Sequence, residues 1–117
     1  MTKIRKSERS GSRHWIFQRI SAVILIFLVL WLGYSSFAML VDNSYIDTFF
    51  SYVSNTVLSI IFVSTCLYHG SLGMQTIIED YVSCKKSRKI TIAIINITSL
   101  ITAIFVIITI ARLHIIL

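Results

Sequence analysis

Charge is missing from three long stretches of this chain, and that absence decides most of what it can fold into. No Asp, Glu, Lys or Arg occurs from Ile20 to Val41, from Thr48 to Ile78, or from Ile90 to Ala111. These runs are 22, 31 and 22 residues long. A transmembrane helix needs about 20 apolar residues, so each run can hold one. Charged residues make up 14% of the 117 residues, against about 25% in soluble domains. The sequence therefore predicts an all-α membrane protein with three transmembrane helices in a single domain spanning residues 1–117. The helices are expected over about 15–40, 54–81 and 90–113, behind a basic arm at 1–14. No remaining segment approaches the ~50 residues at which domains begin, so the chain carries no water-facing catalytic domain. Cys66 falls inside a span and Cys84 in a loop. They cannot pair, which excludes a disulfide framework.

The charges outside the runs are sorted by side. Lys3, Arg5, Lys6, Arg9, Arg13 and Arg19 precede or open the first span. Lys85, Lys86, Arg88 and Lys89 connect the second to the third. The first connection holds Asp42 and Asp47 and no basic residue, and only Arg112 lies beyond the last run. Ten of the eleven basic residues thus fall on one side of a three-span chain. The positive-inside rule makes that side cytoplasmic, with the N-terminus inside and the C-terminus outside. The first apolar run is longer than the roughly 7–15 residues of a cleaved signal. The N-terminal segment is Arg- and Ser-rich but short, and contains Glu8. It reads as a cytoplasmic arm, and the absence of a long presequence favours a bacterial inner membrane over a mitochondrial one. Nucleic-acid binding would need a soluble basic face with stacking groups, and none is present.

Apolar residues surround the spans, so polar and small residues must mark the packed faces. In the third span Thr91, Thr98, Thr102 and Thr109 form a stripe flanked by Asn96 and Ser99. This stripe is expected to hold the helix against a neighbour.

The second span holds the residues with chemical potential. His69 lies eleven residues before Asp80, which is about 16 Å of helix, near the middle of a ~30 Å hydrocarbon layer. An ionisable residue at that depth is costly and marks a candidate functional site. Gly70 adjoins it and Gly73 shares its face one turn on. The missing side chains leave room for a flat, bulky group, and an imidazole can ligate haem iron. The residues alone equally admit an interhelical hydrogen bond or a proton relay. His14 and His114 lie near opposite ends of the spans, so neither can share an iron with His69. A second axial ligand would come from another chain.

Where the second span ends, Glu79, Asp80 and Tyr81 reach the inner surface. A tyrosine hydroxyl there can donate a hydrogen bond to a carbonyl ligand. Arg19 enters the same leaflet and can pair with Asp80 or with an anionic group such as a propionate. Without further context the cluster is also an ordinary interfacial belt with snorkelling charges.

The segment His69-Gly70-Ser71-Leu72-Gly73-Met74, followed by Glu79-Asp80-Tyr81, resembles the small hydrophobic (SdhD-type) membrane-anchor subunits of succinate dehydrogenase, respiratory complex II. Their pattern is a His, a Gly four residues on, and an Asp-Tyr pair eleven and twelve residues after the His. His69, Gly73, Asp80 and Tyr81 match it. The opening His14-Trp15-Ile16-Phe17-Gln18-Arg19-Ile20-Ser21-Ala22 is similar as well. The resemblance implies one half of a haem-binding helix bundle, completed by a second anchor subunit (SdhC type). The pair would hold a flavoprotein and an iron–sulfur subunit on the inner face. Each anchor would supply one axial ligand to haem b, here His69, and Tyr81 would hydrogen-bond ubiquinone. Asp80 and Arg19 would border the quinone pocket or the haem propionates. The chain itself would make no bond to succinate. In relatives bulky aromatics often follow the His, whereas here Gly70, Ser71 and Gln75 do. The other readings are the anchor of a fumarate reductase or of a haem-free quinone oxidoreductase, and a small transport or assembly protein with a proton-relay His69. A transporter would be expected to carry carboxylates within its spans, and these spans have none.

Overall fold

The computed structural model describes residues 2–116, with side chains from residue 11 onward. The side chains of Lys3, Arg5, Lys6 and Arg9, which the charge argument uses, lie outside the described ones. Four helices follow in order: α1 (Thr2–Val41), α2 (Tyr45–Ser51), α3 (Val53–Tyr81) and α4 (Lys85–Ile116). Three are long and apolar enough to cross a membrane: Gly11–Val41 of α1, then α3 and α4. The three expected spans are therefore present. α1 and α4 extend beyond the expected bounds because Lys, Arg and Ser continue the helices into the polar layer, and Lys and Arg are good helix formers.

Burial is inverted relative to a soluble domain. Ser21, Ser35, Thr56 and Ser59 are buried, while Leu40 is 82% and Phe105 72% exposed. In lipid, apolar side chains can face outward at no cost, and close helix contact favours small residues at the seams. α1 shows this as a stripe. His14, Gln18, Ser21, Leu25, Leu28, Leu32, Ser35 and Met39 are its less exposed positions. They recur at alternating steps of four and three, the spacing of coiled-coil-like packing. The corresponding stripe of α4 runs through Ile92, Ile95, Ser99, Ala103, Val106, Ile110 and His114.

α3 is the central helix. α1 and α4 each pack on it, and among the described residues they do not touch each other. An open stripe is left on α3, comprising Cys66, Gly70, Met74, Ile77 and Tyr81.

The short α2 lies in the connection between the first two spans. Asp42 opens the turn, accepting hydrogen bonds from the Ser44 hydroxyl at 2.7 Å and the Ser44 N–H at 3.0 Å. These two bonds, the hydroxyl first, hold the Asp42 carboxyl below its usual range. Phe49 of α2 is 1% exposed. Its ring meets Phe50 at 5.0 Å, Trp31 at 5.5 Å and Tyr45 at 6.2 Å. The end of α2 is capped by side chains from elsewhere. Asn55 Nδ2 donates to the Phe49 carbonyl at 3.1 Å, and the Thr56 hydroxyl lies 3.2 Å from both the Phe50 and Tyr52 carbonyls and shares its one proton between them. His114 Nδ1 donates to the same Phe50 carbonyl at 2.9 Å. These contacts satisfy carbonyls that a helix end leaves free.

Among the described residues the threonine stripe of α4 makes no hydrogen bond to another helix. Thr98, Thr102 and Thr109 are exposed. Thr102 and Thr109 donate instead to carbonyls four residues back, at 2.8 and 2.9 Å. A threonine hydroxyl finds that acceptor in its own helix without help from a neighbour.

Candidate functional site

His69 is the seventeenth of the 29 residues of α3. At ~1.5 Å per residue it lies about 24 Å from one end of the helix and about 18 Å from the other. Its Nδ1 is 2.8 Å from the hydroxyl of Ser21 on α1. Ser21 is 4% exposed, and its hydroxyl also donates to the Gln18 carbonyl at 2.9 Å. A hydroxyl has one proton to give. With that proton on the Gln18 carbonyl, His69 Nδ1–H must be the donor, and Nε2 then keeps its lone pair.

The ring borders a hollow of about 360 Å³ lined by Ala22, Leu25, Ile26, Val29 and Leu30. Apart from His69 the lining is entirely aliphatic. The two glycines differ in role. A Cβ on Gly73 would sit 3.9 Å from Gln18 Nε2, so this glycine adjoins α1. A Cβ on Gly70 would meet nothing within 4 Å. The helix surface next to the histidine is therefore open at Gly70, apart from the hollow on the α1 side.

Among the described residues no three His, Cys, Asp or Glu side chains gather into a metal site. A haem needs none, since its porphyrin holds the iron and the protein adds axial ligands only. An imidazole midway along α3 with an aliphatic hollow beside it fits that demand. His114 is bound to the Phe50 carbonyl at the far end of α4. His14 lies seven residues before Ser21 on α1, and its Nε2 is enclosed with no hydrogen-bond partner among the described residues. As expected, neither reaches His69.

At the other end of the candidate site Tyr81 closes α3 and is 84% exposed. Asp80 is exposed beside it, and Glu79 accepts a hydrogen bond from Gln75 at 3.1 Å. Arg19 does not pair with Asp80. Its guanidinium lies over the Trp15 ring, 5.3 Å from the centroid. One helical turn separates the two on α1, so the cation–π contact forms locally.

Sequence reasoning did not find Ser21 as the partner of His69. No spacing rule links residues 48 apart, and serine was visible there only as a small residue. It also did not find the second hydroxyl contact of α3, in which Ser71 donates to Ser99 Oγ at 2.8 Å. That bond sits in an α3–α4 groove of about 550 Å³ that also contains Tyr68, Gln75 and Asn96.

Residues 2–110 match the family described as succinate dehydrogenase/fumarate reductase transmembrane subunit. The chain is 41% identical over 99 residues to the succinate dehydrogenase hydrophobic membrane anchor subunit of Rickettsia bellii, covering 82% of this chain and 78% of the relative. The protein of the same name from Rickettsia felis is 38% identical over 103 residues, covering 86% and 84%. The succinate dehydrogenase membrane anchor subunit of Reclinomonas americana is 30% identical over 96 residues, covering 79% and 80%. No solved structure matches the chain. The rickettsial relatives and the three apolar spans make it a multi-pass protein of a bacterial inner membrane. The chain belongs to the succinate dehydrogenase/fumarate reductase transmembrane subunit family, as a hydrophobic membrane anchor of succinate dehydrogenase.

Proposed function

We propose that this anchor works as half of a haem- and quinone-binding membrane module. It docks the flavoprotein and iron–sulfur subunits through its basic face. The observation that supports this reading is His69 midway along α3, with its Nδ1 on the Ser21 hydroxyl and an aliphatic hollow beside its ring. Haem b, when bound there, supplies a one-electron redox centre. His69 would hold its iron from this chain, and the second anchor would supply the other ligand. The open stripe of α3, from Cys66 through Gly70 to Tyr81, is the face that the second anchor covers. Small Gly70 lets another chain approach the backbone.

The basic end faces the cytoplasm. Arg13 and Arg19 open α1 there, and Lys85, Lys86, Arg88 and Lys89 begin α4. The opposite end carries Asp42 and Asp47. Tyr81 lies on the cytoplasmic side, where electrons leave an iron–sulfur relay. Its hydroxyl donates to a carbonyl oxygen of ubiquinone, and that bond strengthens as charge develops on the oxygen during reduction. Asp80 adjoins it as a proton donor or acceptor. Arg19, held over Trp15, places a fixed positive charge in the same leaflet for the quinone pocket or a haem propionate.

Isolation through an affinity tag on this chain tests the reading. The purified material is expected to contain three further subunits, to oxidise succinate and to show a b-type absorbance. Recovery of the anchor with neither activity nor absorbance would overturn it.

A further inference from the structure

We infer that Ser21 is the positioning residue for the haem ligand: its hydroxyl accepts the hydrogen bond from His69 Nδ1–H and so commits Nε2 to the iron. The inference rests on the haem reading above and extends it to a residue on a different helix. A neutral imidazole has one N–H and one lone pair, and which nitrogen carries the proton is set by the partner of the other. The Ser21 hydroxyl is oriented by the Gln18 carbonyl at 2.9 Å, which leaves its lone pairs facing His69 at 2.8 Å. At 4% exposure Ser21 is closed to water, so no solvent molecule can take its place.

An acceptor on the distal nitrogen makes the ligating nitrogen more basic and fixes the ring plane. A more basic ligand favours oxidised iron, so removing the acceptor should raise the midpoint potential. A comparison position lies in the same seam. Ser35 is 3% exposed and donates to the Trp31 carbonyl at 3.0 Å, and no histidine hydrogen-bonds to it. It shares the packing role of Ser21 without the ligand.

The test is a redox titration of the b-type absorbance in the purified complex carrying Ser21→Ala, Ser21→Thr or Ser35→Ala. Ser21→Ala is expected to raise the reduced-to-oxidised ratio at fixed ambient potential by about three- to tenfold. Tenfold corresponds to about 59 mV for a one-electron couple. Ser21→Thr keeps the hydroxyl and is expected to titrate like the wild type, as is Ser35→Ala. Should Ser21→Ala not assemble, Ser21→Cys replaces the hydroxyl with a weak sulfur acceptor of similar shape. It is expected to shift in the same direction by a smaller factor. A wild-type midpoint in Ser21→Ala, or in Ser21→Cys where that is the variant titrated, overturns the inference. So does an equal shift in Ser35→Ala, which would make the effect one of packing. A wild-type complex without b-type absorbance, or an unchanged spectrum in His69→Ala, marks failure of the haem reading itself, and the Ser21 assignment falls with it.

Discussion

Ser71 hydrogen-bonds Ser99 at 2.8 Å, two residues along α3 from the histidine that meets Ser21 at the same distance. The central helix is thus tied to α1 and to α4 at nearly one level by hydroxyl contacts on different sides. Interhelical hydrogen bonds in membranes average about 0.6 kcal/mol. Ser99→Ala is therefore expected to lower stability by about that amount in thermal unfolding in detergent. Ser99→Leu adds bulk to the seam beside Ala103 and is expected to cost roughly 1–3 kcal/mol.

The end of the bundle that carries α2 depends on His114. Its Nδ1–H reaches the Phe50 carbonyl, which also accepts from Thr56. His114→Ala is expected to destabilise the chain by about 1 kcal/mol. Faster amide exchange confined to α2 would identify the local cause. Phe49→Ala, which empties the centre of the aromatic cluster, is expected to cost about 3–5 kcal/mol.

Orientation is tested through Cys84. This thiol caps the start of α4, where the Ser87 N–H, the Ser87 hydroxyl and the Lys86 N–H lower its pKa, with a smaller contribution from the Arg88 charge. A lowered thiol pKa enlarges the reactive thiolate fraction at neutral pH. Cys84 is therefore expected to react with a membrane-impermeant maleimide faster than an unperturbed cysteine, and to keep reacting as pH falls below the usual thiol range. In membranes holding the anchors without the soluble subunits, labelling is expected in inside-out vesicles only. Labelling in right-side-out vesicles would contradict the cytoplasmic placement of the basic end.

Tyr81→Phe removes one hydroxyl from an 84% exposed ring and no buried contact. It is expected to reduce succinate:quinone activity by about 10²–10³-fold, the usual cost of one donor to a developing oxyanion. Succinate oxidation by a soluble dye should persist. Equal loss of both activities would place Tyr81 in assembly instead of quinone binding.

The spans were legible because lipid imposes one strong constraint, and gaps in charge report it. His69 stood out for the same reason, as the histidine inside a charge-free run. The short α2 was hidden. Seven residues cannot show a convincing helical period, although Tyr45 and Phe49 stand one turn apart. Within this chain Thr91, Thr102 and Thr109 of α4 are satisfied on their own helix, whereas Ser99 carries the contact with α3. Ser21 was hidden for a different reason. Its contact with His69 comes from the register of two helices, and no local pattern encodes register.

The central claim is that His69 ligates haem, and the reduced-minus-oxidised spectrum of the complex purified with His69→Ala tests it most directly. The account predicts a b-type signal in the wild type that is lost or strongly reduced in the variant, with the remaining subunits still recovered. A variant spectrum identical to the wild type in shape and amplitude would contradict it.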